Sequence, residues 1–189
     1  YWAGGEPILM DEHWGIMNRL VEMGKTDIRI FYNTNFTTLE YKGQSVLDLW
    51  KNFDNISVGA SLDAEGKRGE YQRKGTIWED VVDNIKQLRE KSPEVDFYIS
   101  ATVSAYNAWH ITDFHRNWVE AGYIKPGDWY VNVLLNNPRF RMSVLPQSLK
   151  AEIKAKWQRH LRWLEPLDHI GRATEGYNSA IKFLDDDHT

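Results

Sequence analysis

Apolar residues along this chain alternate between a period near 3.6 and a period of 2, the pattern of helices and strands in turn. Trp14, Met17, Leu20 and Val21 share one helical face, and Gly24 follows where a helix end favours glycine. Residues 27–32 read as a short strand running into Asn33-Thr34-Asn35. Val46, Leu49, Trp50 and Phe53 form the next helical stripe, and Ile56, Val58, Ala60 and Leu62 alternate as a strand ending near Ser61-Leu62-Asp63-Ala64. Trp78, Val81, Val82, Ile85 and Leu88 predict the clearest helix, closed by Ser92-Pro93. Residues 95–103 predict a strand, Ile111, Phe114 and Trp118 a helix ending near Gly122, and residues 129–135 another strand. Leu149, Ile153, Trp157, Leu161 and Leu164 mark a long helix from about Pro146, with one more over 170–184.

With Tyr1-Trp2-Ala3 taken as the end of a buried strand, the pattern holds five strands, each followed by a helix. That alternation predicts an α/β fold with a parallel sheet and outer helices. The spacing suits a (β/α) barrel, open or closed, better than a flavodoxin-like sheet, though periodicity alone leaves both open. The chain starts inside that first strand without an initiator Met and stops at Asp185-Asp186-Asp187-His188-Thr189 with no closing element. A piece of a longer protein is the expectation.

Composition narrows the function classes. The 189 residues, 42% hydrophobic and 26% charged, suit one globular domain. A net charge of -4 gives no bulk attraction to nucleic acid or to an anionic membrane. Nine Trp and nine Tyr point to aromatic packing. The absence of cysteine excludes disulfides and thiolate metal sites within these residues. No apolar run reaches the ~18 residues of a membrane span and no signal peptide shows, so a soluble cytoplasmic protein is expected.

Parallel α/β folds bind ligands at the carboxyl ends of their strands. Gly4-Gly5 opens the backbone to a ligand, Glu6 sets a carboxylate beside it, and Pro7 fixes the turn. That combination suits a protonated amine. Residues 64–75 read as a Gly-punctuated loop in which Lys67, Arg68 and Lys74 are solvated. Arg73, between Tyr71 and Gly75, is placed to hold a carboxylate or phosphate. Amine and carboxylate sites together suit an α-amino acid moiety.

These stretches resemble the radical S-adenosylmethionine (radical SAM) family, in particular its branch with SPASM or twitch extensions. Residues 3–9, Ala-Gly-Gly-Glu-Pro-Ile-Leu, resemble its GGEP motif, which implies that Gly4, Gly5, Glu6 and Pro7 hold the amino group of S-adenosylmethionine. The Tyr32 to Asn35 stretch resembles the polar end of its third strand, and Ser61-Leu62-Asp63-Ala64 the end of its fourth, facing ribose and methionine. Tyr71-Gln72-Arg73-Lys74-Gly75 resembles the stretch whose Arg contacts the methionine carboxylate, and Thr102-Val103 with Asn107 the end of the fifth strand. Residues 133–135, with Leu135, correspond to the sixth strand, near adenine. The resemblance implies a truncated, partial (β/α)6 TIM-like barrel over 1–165 and the start of a C-terminal extension over 166–189. It further implies a [4Fe-4S] cluster and a 5′-deoxyadenosyl radical that abstracts hydrogen, with a peptide or small protein as the substrate by analogy. The family's Cys-x3-Cys-x2-Cys loop precedes GGEP and is not in these residues, so this chain by itself is expected to be inactive.

Two other readings start from the same residues. Glu6, Asn35, Asp63 and Asn107 offer oxygen ligands for Mg²⁺ or Mn²⁺ in a barrel isomerase or hydrolase, with His110 and His115 read as partly exposed helix residues. Arg139, Arg141, Lys150, Lys154, Lys156, Arg159 and Arg162 offer a basic surface for an acidic partner or peptide without catalysis. With Glu152 and Glu165 interspersed, a solvated helix face is the simpler reading. No G-x-S-x-G occurs, so a serine nucleophile has no support.

Overall fold

The fold was obtained as a computed structural model and is described for residues 1–185; the expectation placed on the Asp-rich end lies, from residue 186, outside the described residues. Two compact units emerge. The first joins Tyr1–Ser61 to Lys74–Tyr98, and the second joins Leu62–Arg73 to the chain from Ile99 on.

In the first unit, Pro7–Leu9 forms a 3-10 turn and α1 spans Asp11–Glu22. Asp11 and Glu12 in its first turn match the positive end of the helix dipole. Trp14 and Met17 supply its buried stripe. Its end is the one anticipated: Gly24 turns left-handed at φ +65°, Gly24 N–H reaches Val21 O at 3.0 Å, and Lys25 N–H reaches Leu20 O at 2.9 Å. Strand β1, Arg29–Thr34, then pairs in parallel with β4, Asn55–Ala60, from Arg29 beside Asn55 to Thr34 beside Ala60. All residues from Ile56 to Ala60 are buried, as befits a parallel strand covered on both faces. Between them lie α2, Val46–Trp50, and a hairpin of β2, Glu40–Tyr41, and β3, Gln44–Ser45. The hairpin turns on Lys42 and Gly43 at φ +50° and +77°, the signs of a type I′ turn.

The remaining helix of this unit, α4 (Trp78–Lys91), buries Val81, Ile85 and Leu88 and donates from Asn84 to Phe36 O at 3.0 Å. Phe36 is itself fully buried and stacks at a tilt on Phe97. Tyr1-Trp2-Ala3, expected as a strand, makes only one parallel bridge. Trp2 N–H donates to Phe31 O at 2.8 Å and Asn33 N–H to Trp2 O at 2.9 Å.

In the second unit, residues expected as a loop fold as α3, Gly66–Gln72. Strand β5, Asp96–Val103, is divided between the units and buries alternate residues Phe97, Ile99, Ala101 and Val103. From Ile99 it pairs in parallel with β6, Trp129–Val133. The sheet order is β1-β4-β5-β6, so the α/β class and parallel pairing hold with four strands and not the five expected. Helix α5 spans Ile111–Glu120, α6 spans Gln147–Leu164 and α7 spans Arg172–Asp185. Helix α6 packs on α5, and α7 packs on α6 and β6. Trp118, Trp129, Trp157 and Tyr177 are buried there, which accounts for much of the aromatic content.

Gly176 is the close approach of α7 to β6. A Cβ built on it would stand 3.0 Å from Val131 Cβ and 3.3 Å from the Val131 backbone nitrogen. Gly176→Val is therefore expected to destabilise the fold by about 2 kcal/mol, because the strand backbone cannot yield as a side chain would. Thermal melting would then fall by ~5 °C; an unchanged midpoint would show that α7 rides higher on the strand.

Candidate functional site

At the carboxyl ends of β1 and β4, the first unit gathers Gly4, Gly5, Glu6, Pro7, Asn35 and Ser61. Gly4 and Gly5 adopt φ +88° and +60°, a left-handed pair that side chains resist, and no atom lies within 4 Å of where either Cβ would stand. Their backbone is thus open on the strand-end side. Pro7 is buried and starts the 3-10 turn that carries the chain into α1.

The Glu6 carboxylate does two structural jobs. One oxygen accepts from Thr34 Oγ at 2.7 Å and the other from Asn35 N–H at 2.6 Å. Thr34 Oγ accepts in turn from Phe36 N–H at 2.9 Å, holding the left-handed turn at Phe36. A carboxylate has about four lone-pair sites, so capacity remains on each oxygen for a further donor. Ser61 N–H extends the ladder to Thr34 O at 2.8 Å, which seats Asn35 and Ser61 at neighbouring strand ends. In the sequence Thr34 reads only as part of a polar strand end, with no role of its own. Its hydroxyl carries the link between Glu6 and the turn.

In the second unit, Asp63, Arg73, Thr102 and Asn107 form one network. Asp63 Oδ2 accepts from Arg73 Nε and Nη2, each at 2.9 Å, and Oδ1 accepts from Thr102 N–H at 2.8 Å. Asn107 Nδ2 donates to Asp63 O at 2.8 Å and Thr102 O at 2.9 Å, while its Oδ1 accepts from Ser104 N–H at 2.8 Å. Asn107 is fully buried, so it acts on a ligand only through the strand ends it braces. The Arg73 side chain is 28% exposed against 14% for Asp63, so of the pair the arginine meets solvent more.

Beside this network opens a cavity of about 470 Å³, within the size range of nucleotide-scale ligands. Its walls include Asp63, Thr102, Tyr71, Tyr106, Leu134 and Phe140. Leu134, and not the expected Leu135, faces it. Leu135 is 52% exposed, lies against a separate narrow crevice, and has its carbonyl clasped by the Arg141 guanidinium. Phe140, in a 3-10 turn at Pro138–Phe140, joins the wall from a stretch with no periodic signal.

The histidine and lysine expectations need correction. His115 is fully buried, where a partly exposed position was expected. It lies parallel to Trp129 with ring centres 4.4 Å apart, and closes against His160 and Tyr177. Its Nε2 donates to Pro126 O at 3.0 Å, since a carbonyl only accepts, and so its Nδ1 accepts from His160 Nε2 at 3.1 Å. Burial holds the His115 pKa well below its ordinary value, and that of His160 down to about 4. His110, by contrast, is half-buried near Asp113. Lys150 is buried, and Lys156 donates to Trp109 O and to Asp113 at 2.8 and 2.5 Å, so the basic residues of α6 do not form one solvated face.

Compared with protein-family models and with curated proteins, the chain finds no match. Among the described residues no helix is long and apolar enough to cross a membrane.

Proposed function

We propose that this chain is the cofactor-binding core of a radical SAM enzyme with a partial (β/α)6 barrel, acting by hydrogen abstraction on a peptide or small-protein substrate. The observation that carries the reading is the hydrogen-bonded set of Asp63, Arg73, Thr102 and Asn107. Four residues singled out by resemblance, from three separate stretches, converge on one strand end beside a cavity of nucleotide scale. The open Gly4-Gly5 backbone and Glu6 in the first unit add a site suited to an ammonium group.

Within each unit by itself the residues suit a part of S-adenosylmethionine. In the first, Glu6 keeps lone pairs that suit an amino group. In the second, the partly exposed Arg73 suits a carboxylate, and Tyr71, Tyr106 and Leu134 offer apolar wall to a nucleoside. They do not fit the iron–sulfur cluster, because no thiolate exists in these residues. The bound cofactor and cluster would supply a 5′-deoxyadenosyl radical. The work of this chain is to hold, orient and desolvate. Asp63 fixes the direction of Arg73, and Asn107 fixes Asp63.

The test is product formation in a protein that also carries a Cys-x3-Cys-x2-Cys segment. Anaerobic cluster reconstitution followed by reduction is expected to release 5′-deoxyadenosine. Arg73→Ala should cut that yield about tenfold, the worth of one charge-assisted hydrogen bond. A reconstituted protein that makes none would overturn the reading.

A further inference from the structure

A second cavity, of about 670 Å³, opens within the same unit against Glu65, Arg68, Tyr71, Tyr106 and His110. It shares Tyr71, Gln72 and Tyr106 with the cavity beside Asp63, so one layer of side chains separates them. The two tyrosines are 77% and 52% exposed and meet edge to face, ring centres 6.3 Å apart. Tyr106 continues the row to Phe140 at 5.5 Å. Large rings left to water beside a concavity are characteristic of binding surfaces. The backbone under this row is pinned. Tyr106 N–H donates to Ser104 Oγ at 3.3 Å, and Ser104 N–H to the buried Asn107. The backbone that carries the ring therefore has little ordering left to do on binding.

The other wall carries charge. Glu65 is half withdrawn from water and tied by Asn117 Nδ2 at 2.6 Å, and burial raises its pKa. Lys67 is turned to Glu70 at 2.7 Å. Arg68 is exposed, and its field reaches both Glu65 and His110. A guanidinium beside an aromatic row is a fork for a planar anion.

We propose that this second cavity is a substrate pocket that takes a planar ring joined to a carboxylate or phosphate, the ring against Tyr71 and Tyr106 and the anion on Arg68. Ring-and-anion binding stands on the cavity alone, and only the role as substrate rests on the radical SAM reading. Under that reading the shared wall sets the substrate next to the cofactor's cavity, as hydrogen abstraction requires.

Calorimetric titration of the chain with N-acetyl-L-tyrosine, N-acetyl-L-tyrosine amide, N-acetyl-L-leucine and adenosine 5′-monophosphate tests this. The tighter of the two ring-bearing anions should bind about tenfold better than the amide or the leucine compound, and 0.5 M salt should weaken it. Whether that ligand is the tyrosine acid or the nucleotide identifies the anion. Arg68→Ala should abolish the preference for the anion, and Tyr71→Ala should lower affinity about threefold or more, both with unchanged melting because both side chains are exposed. Equal binding of all four probes, no saturation by about 10 mM, or indifference to Arg68→Ala would overturn the pocket. Selective binding in a protein that makes no 5′-deoxyadenosine would uphold the pocket and overturn its place in radical chemistry.

Discussion

Between pH 6.5 and 4.5 the protein is expected to lose folding stability steeply, before most carboxylates have titrated. Three fully or nearly buried histidines cause this. His13 in the first unit and His160 in the second have pKa values held down to about 4, and His115 is held well below its ordinary value, in each case chiefly by burial. A histidine with a depressed folded pKa binds its proton more readily once unfolded. Unfolding then takes up protons, so stability is full above the unfolded pKa of about 6.5 and drains away as pH falls toward the folded value. The shift of His160 corresponds to up to about 3 kcal/mol when fully titrated. His115 Nδ1 accepts from His160, so a proton added there would face the His160 N–H and cost the bond between them. Urea midpoints at half-unit steps of pH give the measurement. The double variant His115→Phe, His160→Phe should start from a lower plateau, because Pro126 O loses its donor, yet fall with a clearly shallower slope. A wild-type protein with a flat profile from 6.5 to 4.5, or a double variant with the original slope, would rule the account out.

That histidine pair also shows where sequence reading stops. The long stripes of α1, α4, α5 and α6, and the strands at β4 and β5, follow directly from apolar spacing, because one buried face imposes one period. His115 sits beside Phe114 on α5, and nothing in the linear order shows that His160 of α6 and Tyr177 of α7 will close over it. Helix α3 escaped for the opposite reason. Its only buried residue is Gly69, so it carries no apolar stripe, and its glycines and charges look like a loop. The two-residue strands β2 and β3 are too short to display a period of two. In the site, Asp63, Thr102 and Asn107 stood out as polar strand ends, but their bonds to one another and to Arg73 depend on how the second unit folds the 62–73 stretch against the end of β5. Phe140 had no signal at all. A residue that acts only by where a turn delivers it leaves no mark on spacing.

The largest effect of a single substitution is expected at Asn107. Its side-chain amide ties the end of the 61–64 stretch to the end of β5 and to the turn that follows. Truncation in Asn107→Ala would leave Asp63 O, Thr102 O and Ser104 N–H without that partner, in a part-buried network around a fully buried side chain. Each buried polar group so stranded costs about 1–3 kcal/mol, which puts the loss at roughly 3–5 kcal/mol after some relaxation. That is a large share of the stability of an ordinary domain. A near-isosteric change separates the hydrogen bonds from the volume. In Asn107→Asp the ionised carboxylate would face two carbonyl oxygens at the positions where Nδ2 now donates, so burial and repulsion would drive its pKa up. The folded protein would then hold that proton more tightly than the unfolded chain, and the stability of this variant should be greatest at low pH and fall as pH rises. The wild-type trend from the histidines runs the other way. Urea midpoints for the three proteins at pH 5.5 and 8 decide the matter. The gap between Asn107→Asp and wild type must widen at pH 8, whereas a gap that stays constant would mean that Asn107 fills space at this strand end and does not donate there.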